Sequence, residues 1–425
     1  GHADSLDAFA ARLASDAPPL ADVAGVESTP LSGPPAKGAF RIAPSQGGAV
    51  LTEIAPDAAT CPDCLAEVLD PTDRRYGYPF TNCTHCGPRL SIVTGIPYDR
   101  ARTSMHAFTM CAACQREFDD PGNRRFHAQP NACSACGPRL WLEDAKGEAA
   151  TDDALAETAR RLALGQIVAI KGIGGFHLAC DAANGESVRT LRTRKHRPDK
   201  PLALMARDDN AIRRLCHLSR QEAEMLGHPA APIVLLDRRD PASLPGVAPG
   251  QACLGVMLPH TPLHHLLLRV FDGVLVMTSG NVSGAPQVTG NAEARRALGG
   301  IADAFLMHDR DIVNRVDDSV LRVTLSAPMV LRRGRGLAPE ALHLPKTFGE
   351  APPILADTGL PDPMENMRLH GELMQAYSYL NAGYYAEASA GFEAVLARDP
   401  QNPFVLDHLG TSLIRERRFE DAVPI

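Results

Sequence analysis

Thirty residues, CPDCLAEVLDPTDRRYGYPFTNCTHCGPRL from Cys61, return fifty positions later as CAACQREFDDPGNRRFHAQPNACSACGPRL from Cys111. Each copy reads C-x2-C, eighteen residues, C-x2-C, and twenty-four residues separate the copies. Paired thiols at this spacing suit tetrahedral zinc, and four thiolates leave no open position for water, so both sites are expected to be structural. The repeat extends past the thiols: Pro71 matches Pro121, Arg74 and Arg75 match Arg124 and Arg125, and CGPRL closes both units. Duplicated side chains outside the ligand set predict a duplicated fold with one ion per unit. A sequential assignment puts Cys61, Cys64, Cys83 and Cys86 on one zinc and Cys111, Cys114, Cys133 and Cys136 on the other. Spacing alone also admits a crossed arrangement of outer and inner pairs. With a full cysteine set at hand, His85, His106 and His127 are expected to be surface or packing residues.

The remaining cysteines, Cys180, Cys216 and Cys253, lie in apolar surroundings and read as small buried hydrophobes. A secreted disulfide scaffold is disfavoured, because no basic region followed by an apolar stretch opens the chain. No apolar run reaches the ~20 residues of a membrane helix, and the expectation is a soluble cytoplasmic protein with no membrane partner. At 425 residues there is room for several domains. A net charge of -7 argues against a chain that coats nucleic acid as a whole, so any anion site must be local. Zinc knuckles can bind RNA, and that reading stays as the alternative, although one Trp and 5% aromatic residues make a poor stacking surface.

The texture changes along the chain. Residues 1–47 hold one amphipathic helix, DSLDAFAARLASDA, and two strand-like runs, GVESTPL and AFRIAPS, which resemble the back half of a domain. The double cysteine module covers 51–142. From 151 to 345 helices alternate with β-rich runs: DDALAETARRLALG predicts a helix, and QIVAIKG, PLALMA, PIVLLD, GVLVMTSG, AFLMHD and SVLRVT predict strands of one α/β domain. A Pro- and Gly-rich linker spans 346–366. Beyond it, 367–425 has the period of the tetratricopeptide repeat, with Tyr379, Ala388, Phe392 and Pro400 at packing positions and Leu409, Gly410 and Ala422 in a second, unfinished unit.

The densest charge lies in RTLRTRKHRPDKPLALM. Pro198 and Pro201 break the helix there, so Lys195, Arg197 and Lys200 are expected on a turn where they can converge on an anion such as polyphosphate. Two further stretches could close the same site. TSGNVSG offers Thr278, Ser279, Asn281 and Ser283 to ligand oxygens, and NRVDDSVLRV offers Arg315 together with Asp317 and Asp318 for magnesium. The glycines after Lys171 in IKGIGGF satisfy neither the P-loop nor the dinucleotide fingerprint. No Ser-His-Asp order or pair of catalytic carboxylates stands out, which favours chemistry by positioning and charge stabilisation.

The doubled cysteine module, FHAQPNAC within it, and the following KHRPDKP, TSGN and LRRGRGLAP together resemble the HypF carbamoyltransferases of nickel–iron hydrogenase maturation, from about Asp4 to Leu355. The α/β part also resembles the wider YrdC family, whose members make a carbamoyl-type adenylate from ATP. The resemblance implies a multidomain α/β protein: a partial acylphosphatase-like α+β segment, a double four-cysteine zinc-finger module, a YrdC-like ATP-binding domain and a helical tetratricopeptide-like hairpin. It implies that carbamoyl phosphate is cleaved to carbamate, coupled to ATP as carbamoyl adenylate, and passed to a cysteine of a HypE-like acceptor. Carried over, Lys195, Arg197 and Lys200 match the basic nucleotide motif, and Ser279 and Asn281 a Ser-x-Asn motif. Lys171, Thr278, Asp318 and Arg333 are added as expected ATP or magnesium contacts. The resemblance departs at both ends: the acylphosphatase phosphate loop would lie before Gly1, and similarity to the final transferase domain ends after PPILA. The chain is therefore expected to keep the middle step.

Overall fold

The computed structural model describes residues 3–17, parts of 20–29, 54–148, 153–340 apart from 283, 325 and 326, and most of 372–418. Helix α1 (Ala3–Ser15) forms where the amphipathic pattern predicts it. Residues 25–29 carry no strand, and AFRIAPS and the linker lie outside the described residues.

The two cysteine units fold alike. Cys61 and Cys111 each occupy the N-cap of an eight-residue helix, α2 (Pro62–Leu69) and α3 (Ala112–Asp119). The second cysteine of each C-x2-C, Cys64 or Cys114, falls one helical turn on and is fully buried. The units dock on the α/β domain through backbone contacts: Ala59 N donates to Pro229 O at 2.7 Å, Thr60 N to His260 O at 3.1 Å and Val313 N to Ser91 O at 2.8 Å. Asn314 Nδ2 donates to Leu90 O and Val93 O at 2.7 and 2.9 Å.

The α/β domain is built on a mixed sheet of ten strands. In chain order these are β1 (Leu140–Asp144), β2 (Val168–Lys171), β3 (Phe176–Asp181), β4 (Leu204–Met205), β5 (Ile233–Asp237), β6 (Cys253–Met257), β7 (Leu275–Ser279), β8 (Ala304–His308), β9 (Val320–Thr324) and β10 (Ala327–Arg332), and their order in the sheet is β1-β8-β2-β3-β7-β4-β6-β5-β9-β10. Helices cover both faces, so the inner strands are apolar on both sides rather than alternating with polar residues. Ile167, Ala169, Leu178, Val276 and Phe305 enter one core with helices α5 (Gly185–Arg194) and α6 (Asp209–Leu215). Val168, Ile170, Ala179, Leu275 and Met277 enter the other, under α4 (Ala154–Ala163) and α7 (Pro262–Val270). The helix expected in DDALAETARRLALG is α4, capped by Asp153 and stopped before Gly165 at φ +82°. The strands expected in this domain all form, PLALMA shrinking to β4; FHLACD and CLGVM supply two further inner strands.

The glycines of IKGIGGF have a packing reason. A Cβ on Gly174 would lie 2.3 Å from Val316 O, so the backbone before β9 could not approach this turn if any side chain stood there. In the tail, helices Tyr385–Leu396 and Pro403–Arg415 pack through Ala388, Phe392, Val395, Val405, Leu409 and Leu413. Pro400 and Ala422 lie outside the described residues.

One buried cation ties the pieces together. Arg335 Nε donates to Asp318 Oδ1 at 3.0 Å, Nη1 to Ala230 O at 3.1 Å and Nη2 to Ala231 O at 2.9 Å, while its backbone N donates to Asp317 O at 2.7 Å. The second Asp318 oxygen meets His177 Nε2 on β3, also at 3.0 Å. Burial pushes against charge on Asp318, but Arg335 and His177 hold its carboxyl well below the usual range. Removing one member leaves a buried charge unpaired, so Arg335→Met should cost about 3–5 kcal/mol. The double variant Arg335→Met, Asp318→Asn should cost less than the sum of the singles. Denaturant titration followed by Trp141, the single tryptophan, on β1, checks both.

Candidate functional site

The metal centres follow from the helix starts. Sγ of Cys61, Cys64, Cys83 and Cys86 lie within 4.8 Å of one another, as do those of Cys111, Cys114, Cys133 and Cys136. The grouping is sequential, not crossed. Separations of 3.7 Å (Cys61 to Cys83), 3.9 Å (Cys83 to Cys86), 3.8 Å (Cys111 to Cys133) and 3.6 Å (Cys136 to Cys114) test the fit. At a Zn–S distance of about 2.3 Å a regular tetrahedron has edges of about 3.8 Å, so each thiol set fits a zinc ion closely. Zinc there would cross-link its unit and, with four sulfurs, take no substrate. No histidine belongs to either group. His106 Nδ1 lies 2.8 Å from Thr103 O, and His127 packs between Phe118 and Phe126.

The second site is a cleft of about 210 Å³ where β7, β9 and the turn after α5 meet. Its floor is apolar, with Leu202, Ile233, Leu235, Met277 and Val320; its polar rim carries Arg197, Thr278, Ser279, Gln287, Asp317 and Arg332.

The turn carrying Arg197 is shaped by a residue whose part the sequence does not reveal. Arg192, on the last turn of α5, donates to the carbonyls of Arg197 (2.7 Å), Pro198 (2.9 Å) and Lys200 (3.1 Å), and to those of Gly246 (2.6 Å) and Val247 (2.9 Å). Five carbonyls around one planar guanidinium hold the proline-broken turn rigid. Arg197 then points into the cleft. Its Nη2 donates to Pro201 O at 2.9 Å, while its buried Nε has no partner among the described residues. Burial lowers its pKa, and Arg192 and Arg332 push the same way, so an anion here would relieve the repulsion among these cations.

Lys195 is buried and faces the TSGN turn. Its Nζ lies 2.6 Å from each of three oxygens, Ser279 O, Asn281 O and Asn281 Oδ1. Ser279 Oγ closes the motif by donating to Asn281 Oδ1 at 2.8 Å. Three acceptors match the three donors of an ammonium group, so in this conformation Lys195 holds the hydroxyl turn in place. Burial nevertheless pushes its pKa down to about 7, with Arg197 acting in the same direction and Asp317 against it.

The other expected residues divide. Thr278 and Ser279 line the cleft, and Asn281 buttresses Ser279. Lys200 is exposed and contributes only its carbonyl to Arg192. Lys171 is buried outside the lining, with Nζ donating to His308 O at 3.0 Å and a pKa that burial lowers to about 8. Asp318 lies at the cleft wall with both oxygens engaged, which leaves Asp317 as the lining carboxylate with no side-chain hydrogen bond among the described residues. Arg333 turns away to Glu340 O, and its neighbour Arg332 takes the place at the rim. β10 ends at Arg332, so the two neighbours leave the strand in different directions, and no local signal distinguishes them. Arg315 donates to Gln287 O at 2.5 Å, and Ser283 lies outside the described residues. Cys180 and Cys216 are buried as expected, while Cys253 is partly exposed.

Known proteins resemble this chain over the stretches that carry both sites. A family model described as HypF finger matches residues 60–93 and again 110–143, and one described as telomere recombination, the Sua5, YciO and YrdC family, matches 160–334. A carbamoyltransferase HypF of Rhodobacter capsulatus is 58% identical over 358 residues, covering 84% of this chain and 48% of the relative. One of Synechocystis is 50% identical over 343 residues, covering 80% and 44%. A crystal structure of full-length HypF in the phosphate- and nucleotide-bound form matches with a TM-score of 0.73 at 44% identity, over 80% of this chain and 44% of that one. The chain thus spans about half the length of the curated relatives it matches. With both finger units and the YrdC-type domain in the same order, the chain belongs to the HypF family.

Proposed function

We propose that this chain carries the adenylating step of a HypF-type carbamoyltransferase. An oxygen of carbamate, released from carbamoyl phosphate, attacks the α-phosphorus of ATP. The bond from that phosphorus to the bridging oxygen breaks, pyrophosphate leaves and carbamoyl adenylate remains, for transfer to a cysteine of a HypE-like acceptor and onward to the cyanide ligands of a nickel–iron hydrogenase. The observation that carries this reading is the cleft itself: two arginines, Arg197 and Arg332, stand over an apolar floor beside the hydroxyls of Thr278 and Ser279. The floor suits a base or ribose face, and the arginines suit charge developing on phosphorus and on departing pyrophosphate. A cleft of about 210 Å³ encloses only part of a nucleotide, so the remaining phosphates would lie across the open rim. Asp317 would hold magnesium, which when bound supplies charge neutralisation at the phosphates.

ATP–pyrophosphate exchange tests the reading directly. The purified chain with magnesium, carbamoyl phosphate and an active acylphosphatase domain added in trans should exchange label, and should not do so without the carbamoyl source. No exchange from folded, zinc-loaded protein would count against it. Arg197→Ala should weaken nucleotide binding about 10- to 100-fold, the effect of losing one charge-assisted hydrogen bond of ~1.5–3 kcal/mol. Lys195→Ala should weaken it at least as much while also loosening the Ser279–Asn281 turn. Zinc content should stay unchanged in both.

The pH dependence has a definite sign. With Lys195 lowered to about 7, raising the pH above that value progressively neutralises it in the free protein. A bound phosphate raises its pKa, so nucleotide binding should take up a proton, and affinity should fall as pH rises from 7 to 9. Calorimetry in buffers of different ionisation enthalpy measures that uptake, which Lys195→Met should abolish.

A further inference from the structure

The two fingers do not stand side by side as independent units. Arg74 and Arg75, which follow α2 in the first finger, reach the second: Arg74 Nη1 and Nη2 lie 3.5 and 3.4 Å from Cys114 Sγ, and Arg75 Nη2 lies 3.8 Å from it. Both also pair with Glu117 on α3, at 2.5 Å. The second finger answers in kind. Arg124 Nη1 lies 3.0 Å from Cys64 Sγ and Arg125 Nη2 lies 3.9 Å from it, and both pair with Glu67 on α2. The buried arginines repeat the pattern on the backbone: Arg75 Nε donates to Ala132 O and Arg125 Nε to Asn82 O, each at 3.0 Å. The duplicated Arg-Arg of the sequence is therefore a reciprocal exchange, each pair serving the other finger's cysteines.

A zinc ion with four thiolates is a net dianion, and N–H donors to its sulfurs offset that charge. Here the cationic donors at Cys64 and Cys114 come from the partner finger. We propose that Arg74, Arg75, Arg124 and Arg125 belong to the metal site of the opposite finger, so that the two zinc ions bind and leave as one coupled unit. Emptying one finger frees its loop, withdraws its arginines and exposes the other tetrathiolate to protonation and chelation. Glu67 and Glu117 fix the arginines from the helix one turn beyond the buried cysteine, so the coupling has a rigid path. This inference concerns the metal centres alone and does not depend on the adenylating reaction.

The full chain can be tested without any variant. Titrated with a chelator and followed by native mass spectrometry, a coupled pair passes from two zinc ions to none with the one-zinc species well below its statistical share. A statistical population of that species would overturn the proposal. Cadmium-113 substitution gives an independent readout, each resonance being assigned through its couplings to the cysteine β-protons. Arg124→Met with Arg125→Met should shift the resonance of the Cys61, Cys64, Cys83 and Cys86 site and make that ion about 10- to 100-fold easier to withdraw, the usual range for groups supporting a metal ligand. Arg74→Met with Arg75→Met should act on the other resonance. Lysine at the same positions should restore part of the retention. If each pair perturbs its own finger, or neither moves a resonance, the arginines are structural ion pairs and the coupling is wrong.

Discussion

Arg335 and Asp318 form a buried ion pair at the point where the finger module, the sheet and the cleft meet. The guanidinium gathers the chain after β10, the segment before β9 and the 230–231 loop into one buried point. The same loop region accepts Ala59 of the first finger through Pro229, so the finger module and the cleft share a foundation. Asp318 is 11% exposed with both oxygens engaged, and that fixes the orientation of Asp317 beside it at the rim. Buried charge of this kind adds little net stability over an apolar replacement, but it penalises every alternative arrangement in which one partner is left alone.

The cleft is organised by two side chains with different tasks. Arg192 shapes the proline-broken turn by binding five carbonyls, and Lys195 draws the TSGN turn towards α5 through three oxygens. With both turns held by cations that face inwards, Arg197, Arg332, Thr278 and Ser279 are left to meet a ligand. Preorganised donors beside an apolar floor stabilise charge at no reorganisation cost when it develops, which suits the proposed adenylyl transfer, in which the protein performs no covalent chemistry of its own.

The fingers complement this arrangement. Their sulfurs are spaced like the corners of a zinc tetrahedron, and their arginines cross from one unit to the other. A small unit with few apolar residues cannot hold itself together by burial alone, so cross-linking by metal and exchange of ion pairs stand in for a larger core.

Much of this was legible in the sequence, for identifiable reasons. Metal ligation at C-x2-C is set by local helix geometry, so the ligands and their likeness in the two units follow from spacing alone. Inner strands show as apolar runs, helix α4 as a periodic pattern with Asp153 before it and Gly165 after it, and the breaking prolines as a turn. What a side chain meets across the fold has no local signal. Sequence could not show that Arg74 and Arg75 serve the other finger, that Arg192 shapes the turn, that Lys195 closes on Asn281, or that Arg332 rather than Arg333 faces the cleft. From the chain alone the cysteine ligands, most of the elements and the family could be read; the sequential grouping of the cysteines and the partners of the buried charges depended on the fold, because those partners lie tens to hundreds of residues apart and are chosen by the packing that buries them.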